Sequence, residues 1–204
     1  FRRSRGLGDV YKRQGDVVNI AQLLQRPGMM LVCNADSGVT RADDLAGKRV
    51  GTWKIGDQFD VGYWLRRHGL DLQAVELIQQ RPAAQDLLNG NVDCATAMSY
   101  NEFQTILNEG KLKTDLFTVR FGQEGSGFLE DGLYVRAEDL NDARKRDQLV
   151  RLLQCLAEGW RYAARHPDEA VAITERYMDG SDTEHQRAML KEILQLMDLD
   201  RGFG

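Results

Sequence analysis

Three short stretches carry side chains that could hold a small polar molecule. Trp53 is followed by Lys54-Ile55-Gly56-Asp57-Gln58, a loop in which Gly56 allows close backbone approach. Free N–H groups at the start of the following helix would favour an anion or a polar acceptor there. Gln79-Gln80 is the second stretch. The third, Ser99-Tyr100-Asn101-Glu102, sets one ring, one amide and one carboxylate in a row. That set suits a small planar ligand with ring nitrogens and an amino group. Each stretch also has a plainer explanation. Asp57 can cap a helix, Trp53 can be core, and Ser99 with Glu102 reads as a full capping box.

Catalytic chemistry has less support. The three histidines, His68, His166 and His185, are scattered, and no serine has a histidine nearby in sequence. The three cysteines, Cys33, Cys94 and Cys155, are far apart and show neither metal spacing nor a disulfide framework. Cys94 and Cys155 sit among apolar neighbours and read as small core residues. No metal and no cofactor are called for.

The three stretches share a setting, because each follows a predicted strand. The segment from Lys48 to Glu102 alternates strand and helix three times. The strands are Arg49–Trp53, Val75–Gln79 and Val92–Met98, and the helices are Phe59–His68, Ala83–Leu88 and one opening at Ser99. This alternation predicts parallel pairing with right-handed crossovers, and ligands of such sheets bind beyond the strands' carboxyl ends.

On either side the pattern differs. Asp16–Leu24 predicts a short helix with Val17, Ile20, Ala21 and Leu24 on one face, and Met29–Cys33 a buried strand. Thr40-Arg41-Ala42-Asp43 opens a single helical turn. Leu116–Phe121 and Leu133–Arg136 read as strands separated by a flexible GQEGSG loop. From Asn141 on the chain is helical, with a break at Pro167 and a cap over Ser181–Glu184.

Composition fits a globular α/β chain: 204 residues, 42% hydrophobic and 28% charged, with a net charge of −4. That charge gives no support for nucleic-acid binding. No apolar run reaches the ~20 residues that span a bilayer. Residues Phe1–Gln14 (FRRSRGLGDVYKRQ) stand apart, being basic and without apolar periodicity. A basic nucleic-acid arm is one reading. The other, adopted here, is resemblance to translated adapter sequence at the ends of reading frames assembled from metagenomic reads, which would make the tail non-native.

The order QRPGMMLV (25–32), DSGV (36–39), DDLAGKRVGTW (43–53), NGNVDCATAMSYNE (89–102), FLEDGLYV (128–135) and GWRYAARHPDEAV (159–171) resembles the thiamine-pyrimidine-synthase-like group of ABC-transporter substrate-binding proteins. The chain departs from that pattern at Cys94, where the family has alanine. The resemblance implies a type-2 periplasmic-binding-protein fold, two α/β lobes closing on a ligand, N-terminally truncated here. Residues 43–110 would form the second lobe. Residues 15–42 and 111–204 would supply a partial first lobe, the crossover strands and the C-terminal helices. The ligand-facing residues carried over are Trp53, Gly56, Asp57, Gln58, Tyr100, Asn101 and Glu102. The implied function is extracytoplasmic capture of a small heteroaromatic nutrient, akin to a thiamine-pyrimidine precursor, for an ABC permease and its ATPase. The membrane would be met only through the permease or a lost anchor. Two alternatives remain: a pyrimidine synthase of the same fold, testable by pyridoxal-phosphate absorbance, or a sensor module of a signalling protein. The synthases carry a CCCFC motif that this chain lacks.

Overall fold

In the computed structural model the described residues are 16–53, 58–81, 84–180 and 182–199. The centre is strand β2, Met29–Asn34 (MMLVCN), every residue of which is buried. Alternate side chains of a strand face opposite ways. Met29, Leu31 and Cys33 therefore join one core with Val50, Val61, Trp64, Leu65 and Phe121. Met30 and Val32 join another with Leu87, Ala97, Phe103 and Ile106. A strand covered on both faces reads as a continuous apolar run.

Around it lie β3 (Arg49–Thr52), β4 (Glu76–Gln79), β5 (Cys94–Met98) and β6 (Leu116–Arg120), in the order β4-β3-β5-β2-β6. Strand β3 runs parallel to β4 and β5, as the strand–helix alternation predicts. Strand β2 runs antiparallel to both β5 and β6. The sheet thus takes in residues on both sides of 43–110, and the expected boundaries at 43 and 110 cut through it. Parallel units announce themselves through local alternation, whereas β2 finds its partners some 60 to 90 residues later, which no local pattern reports.

Helices cover the faces. In α1, Gln58–Arg67, the buried side is Val61, Trp64 and Leu65, at the i, i+3, i+4 spacing of one helix face. Phe59 and Tyr63 lie on the exposed side. Helix α2 is Gln85–Leu88 and α3 is Glu102–Asn108. The turn expected after Thr40 forms over Ala42–Leu45, with Asp44 Oδ2 accepting from the Thr40 and Arg41 amides and from Thr40 Oγ1.

The predicted helix at Asp16–Leu24 is instead a strand. β1, Val17–Gln22, pairs antiparallel with β7, Gly132–Arg136, as a separate two-stranded ribbon. β-Branched Val17, Val18 and Ile20 suit a strand. The helical spacing was a coincidence of a nine-residue window, overruled by a partner more than a hundred residues away. The long helices follow as expected: α4 (Ala143–Arg165), α5 (Pro167–Glu175, with proline at its start) and α6 (Thr183–Met197). Asp182 caps α6 by accepting from the Glu184 and His185 amides. None of the described helices is long and apolar enough to cross a membrane.

The cysteine reading changes in two places. Cys33 on β2 and Cys94 on β5 form a disulfide, and Cys155 on α4 is exposed rather than core. The strands are consecutive neighbours in the sheet but 61 residues apart in sequence. Spacing alone could not pair them. The GQEGSG loop is also more ordered than its composition suggests. Phe121 O accepts from the Ser126 and Gly127 amides and from Ser126 Oγ, and Ser126 is buried.

Two carboxylates tie strand ends to loops. Asp86 accepts from the Arg81 side chain and amide and from Asn91 Nδ2, and these bonds hold its carboxyl well below the usual range. Arg49 does the same for Asp93. A carboxyl whose pKa is lower folded than unfolded adds stability above its unfolded value, about 3.9, and loses it as pH falls through the folded value. Thermal midpoints should therefore hold from pH 7 to 5 and fall below pH 4, and Asp86→Asn should flatten part of that fall in a calorimetric series.

Candidate functional site

Because β3 and β5 are parallel neighbours, their carboxyl ends meet the same sheet edge. Val50 lies opposite Cys94 and Gly51 opposite Ala95. Trp53 and the Ser99–Glu102 stretch are thereby brought to one side. Antiparallel β2 contributes its beginning, Gly28 and Met29, with Met29 opposite Met98. Strand β6 ends there too, so the segment from Phe121 to Asp131 borders the same edge.

The expected site residues fare differently. Trp53 is half-buried, and Gln58 is the half-buried first residue of α1. Gly56 and Asp57 lie outside the described residues. Glu102 is buried and turned inward: Oε2 accepts from the Met98 amide at 2.9 Å, and Oε1 from Asn101 Nδ2 at 3.1 Å. The expected capping box does not form: the helix begins at Glu102 with Asn101 before it, and the Ser99 amide donates to Gly28 O instead. Glu102 reaches back, but Ser99 Oγ, fully buried, has no partner among the described residues. Asn101 spends both ends of its amide, one on Glu102 and one on His185 Nε2 of α6, 3.1 Å away. Asn101→Ala should loosen α6 from α3, at about 1–3 kcal/mol for the stranded partners. Faster amide exchange confined to α3 and α6 would show it.

Tyr100 is the member of the set that faces open space. Its ring lies against Gly28, where an added Cβ would come within 3.3 Å of the ring and 3.1 Å of Leu196. Glycine at position 28 is what lets the ring lie there. With Leu23, Leu24, Asp131, Trp160 and Ile193 it lines a cavity of about 280 Å³. The phenol oxygen lies 3.5 Å from Asp131 Oδ2. Burial, then the charges of Asp131, Glu130 and Glu102, push its pKa far up, so the phenol stays protonated and donates.

Sequence reasoning missed the acidic side of this place. Glu130 accepts from the Gly28 and Met29 amides at 3.1 and 3.3 Å, pinning the start of β2 to the segment before β7. Its carboxyl is raised, chiefly by burial and further by Asp60. Asp60, buried in the first turn of α1, accepts from the Phe128 amide at 3.1 Å. Asp131 adopts a left-handed backbone, φ +58°, which aspartate tolerates better than most residues. The signal available in sequence was the pair of turn dipeptides, Pro27-Gly28 and Asp131-Gly132. Among the described residues no group of histidine, cysteine and carboxylate side chains is placed to hold a metal.

The family model described as "NMT1/THI5 like" matches residues 8–170. No curated protein sequence matches the chain. Among solved structures, the periplasmic aliphatic sulphonate binding protein SsuA from Escherichia coli superposes with a TM-score of 0.72 at 15% identity, over 89% of this chain and 57% of its own. The alkanesulfonate-binding protein SsuA from Xanthomonas axonopodis pv. citri, bound to MOPS, gives 0.66 at 14%, over 89% and 61%. An ABC transporter structure from Parabacteroides distasonis gives 0.61 at 13%, over 92% and 62%. At these identities the likeness is one of fold, and the fold is that of the periplasmic binding proteins. The chain spans about three-fifths of the length of these structures.

Proposed function

We propose that this chain, which belongs to the NMT1/THI5-like family, is the ligand-capturing part of a solute-binding protein serving an ABC importer. It would act outside the cytoplasm, delivering its ligand to a permease and ATPase without chemistry of its own. The five-stranded sheet, with its helices, is the second lobe in this reading, and the β1–β7 ribbon is the pair of crossover strands. The ligand is a small heteroaromatic molecule with an amino group, akin to a thiamine-pyrimidine precursor. It would be contacted by Trp53, Gly56 and Asp57, by Gln58 at the start of α1, and by Tyr100. Asn101 and Glu102 would shape that wall from behind.

One observation favours an amino-bearing ring over a sulfonate. The carboxylate beside the Tyr100 phenol is Asp131, with Oδ2 3.5 Å away, and the charges of Glu130 and Glu102 behind it also act on the phenol. A carboxylate accepts from an amino group, whereas it repels a sulfonate, and at a partly dry site that repulsion is poorly screened. Titration of the chain with an aminopyrimidine and, separately, with MOPS tests the reading through quenching of Trp53 and Trp160. Saturable binding of the aminopyrimidine, weakened tenfold or more by Tyr100→Ala, is expected. Preference for MOPS would overturn it.

The family also includes synthases, so an enzyme of the same fold is the alternative. Its cysteine-rich motif is missing here, and two of the three cysteines are already joined to each other. A pyridoxal-phosphate absorbance band in the purified chain, lost on mutation of a lysine, would favour it.

A further inference from the structure

The disulfide is placed where reductants cannot reach it. Cys33 and Cys94 face each other directly across β2 and β5. The neighbouring Asn34 amide donates to Asp93 O, so the cysteines occupy a non-hydrogen-bonded position of the antiparallel ladder. At such positions facing side chains come closest. Neither cysteine has any exposed surface, and both belong to the core with Leu31, Val50, Val61 and Leu65. The bond closes a 61-residue separation. It also spans one end of a strand pair whose other end, Met29 opposite Met98, adjoins Gly28 and Tyr100.

Thiol–disulfide exchange requires a thiolate to reach a sulfur directly. In the folded sheet both sulfurs are walled in by the core, so exchange has no route that leaves β2 and β5 paired. We infer that the Cys33–Cys94 bridge is an assembly-stage oxidation. It is made by a disulfide-donating partner before the sheet closes, and the closed sheet then seals it. One cysteine loses its proton and attacks the donor's disulfide, giving a mixed disulfide and one donor thiol. The second cysteine, also deprotonated, displaces the other donor sulfur. The chain loses two electrons and two protons, and the donor leaves as two thiols. Such donors operate in oxidising compartments, where the register of β2 against β5 would be fixed covalently.

Alkylation with iodoacetamide followed by mass spectrometry tests this on the chain as secreted through an added leader. Under native conditions, with or without dithiothreitol, one label is expected, on exposed Cys155; denaturant plus dithiothreitol should give three. The same protein, reduced in denaturant and refolded with dithiothreitol present, should melt lower by on the order of 10 °C than its oxidised form. Comparing two redox states of one sequence leaves no cavity to confuse the result. Three labels on the native, unreduced protein, or bridge opening by dithiothreitol without denaturant, would overturn the inference. Equal melting points for the two forms would also count against a role in fixing the register.

Discussion

Phe121→Ala should cost about 3–5 kcal/mol, the usual loss when a large buried ring is truncated in a core that cannot collapse around the gap. Domains retain roughly 5–15 kcal/mol in total, so this one change would leave the chain near its unfolding threshold. Phe121 is fully buried, meets Trp64 edge-on with ring centroids 6.4 Å apart, and packs in the core shared by β2, β3 and α1. Its carbonyl meanwhile anchors the turn at Ser126 and Gly127. The mutation therefore removes a ring and loosens the segment leading to Glu130 and Asp131. Urea unfolding followed by far-ultraviolet circular dichroism gives the loss directly, and a loss under 1 kcal/mol would show that the site repacks.

Gly127→Ala should be the more disruptive of two glycine substitutions that look alike in sequence. A Cβ at Gly127 would sit 2.6 Å from Pro27 Cβ and 2.9 Å from the Gly122 amide nitrogen. Neither a proline ring nor a backbone atom can swing aside, so the two segments must part, at about 1–3 kcal/mol. Separation would be felt next door. The amides of Gly28 and Met29, held by Glu130, should exchange faster with solvent. Gly159→Ala is the contrast. That glycine lies inside α4 with nothing within 4 Å of its added Cβ. Alanine there should stabilise the helix by up to about 1 kcal/mol. Opposite signs in parallel thermal melts are the expected result.

These contrasts show what a sequence can and cannot disclose. Strands β3, β4 and β5 and their helices were legible because each unit is local: an apolar run, a turn, then an amphipathic helix with recognisable ends. The shared edge of Trp53 and Tyr100 followed from parallel pairing alone. What stayed hidden depends on distant partners. Strand β1 is a strand because β7 lies beside it. Cys33 and Cys94 are a bridge because β2 inserts next to β5. Gly127 is needed because Pro27 occupies the space a side chain would fill. At the site itself, Tyr100 could be named from its motif. The inward turn of Glu102 and the commitment of Asn101 to His185 could not, since both rest on where α6 and the end of β5 come to lie.

The insertion of β2 between β5 and β6 also dictates a timetable. Residues 29–34 leave the ribosome well before either of their partners, the second of which ends at Arg120. Until they emerge this strand, buried throughout in the finished sheet, lacks both of the strands it pairs with there. The units from Arg49 to Met98 can begin to assemble by themselves meanwhile. A sheet dominated by such remote pairings closes slowly. An unpaired apolar strand is what aggregating chains recruit. During that interval MMLVCN would be the chain's main liability and the natural grip for a chaperone.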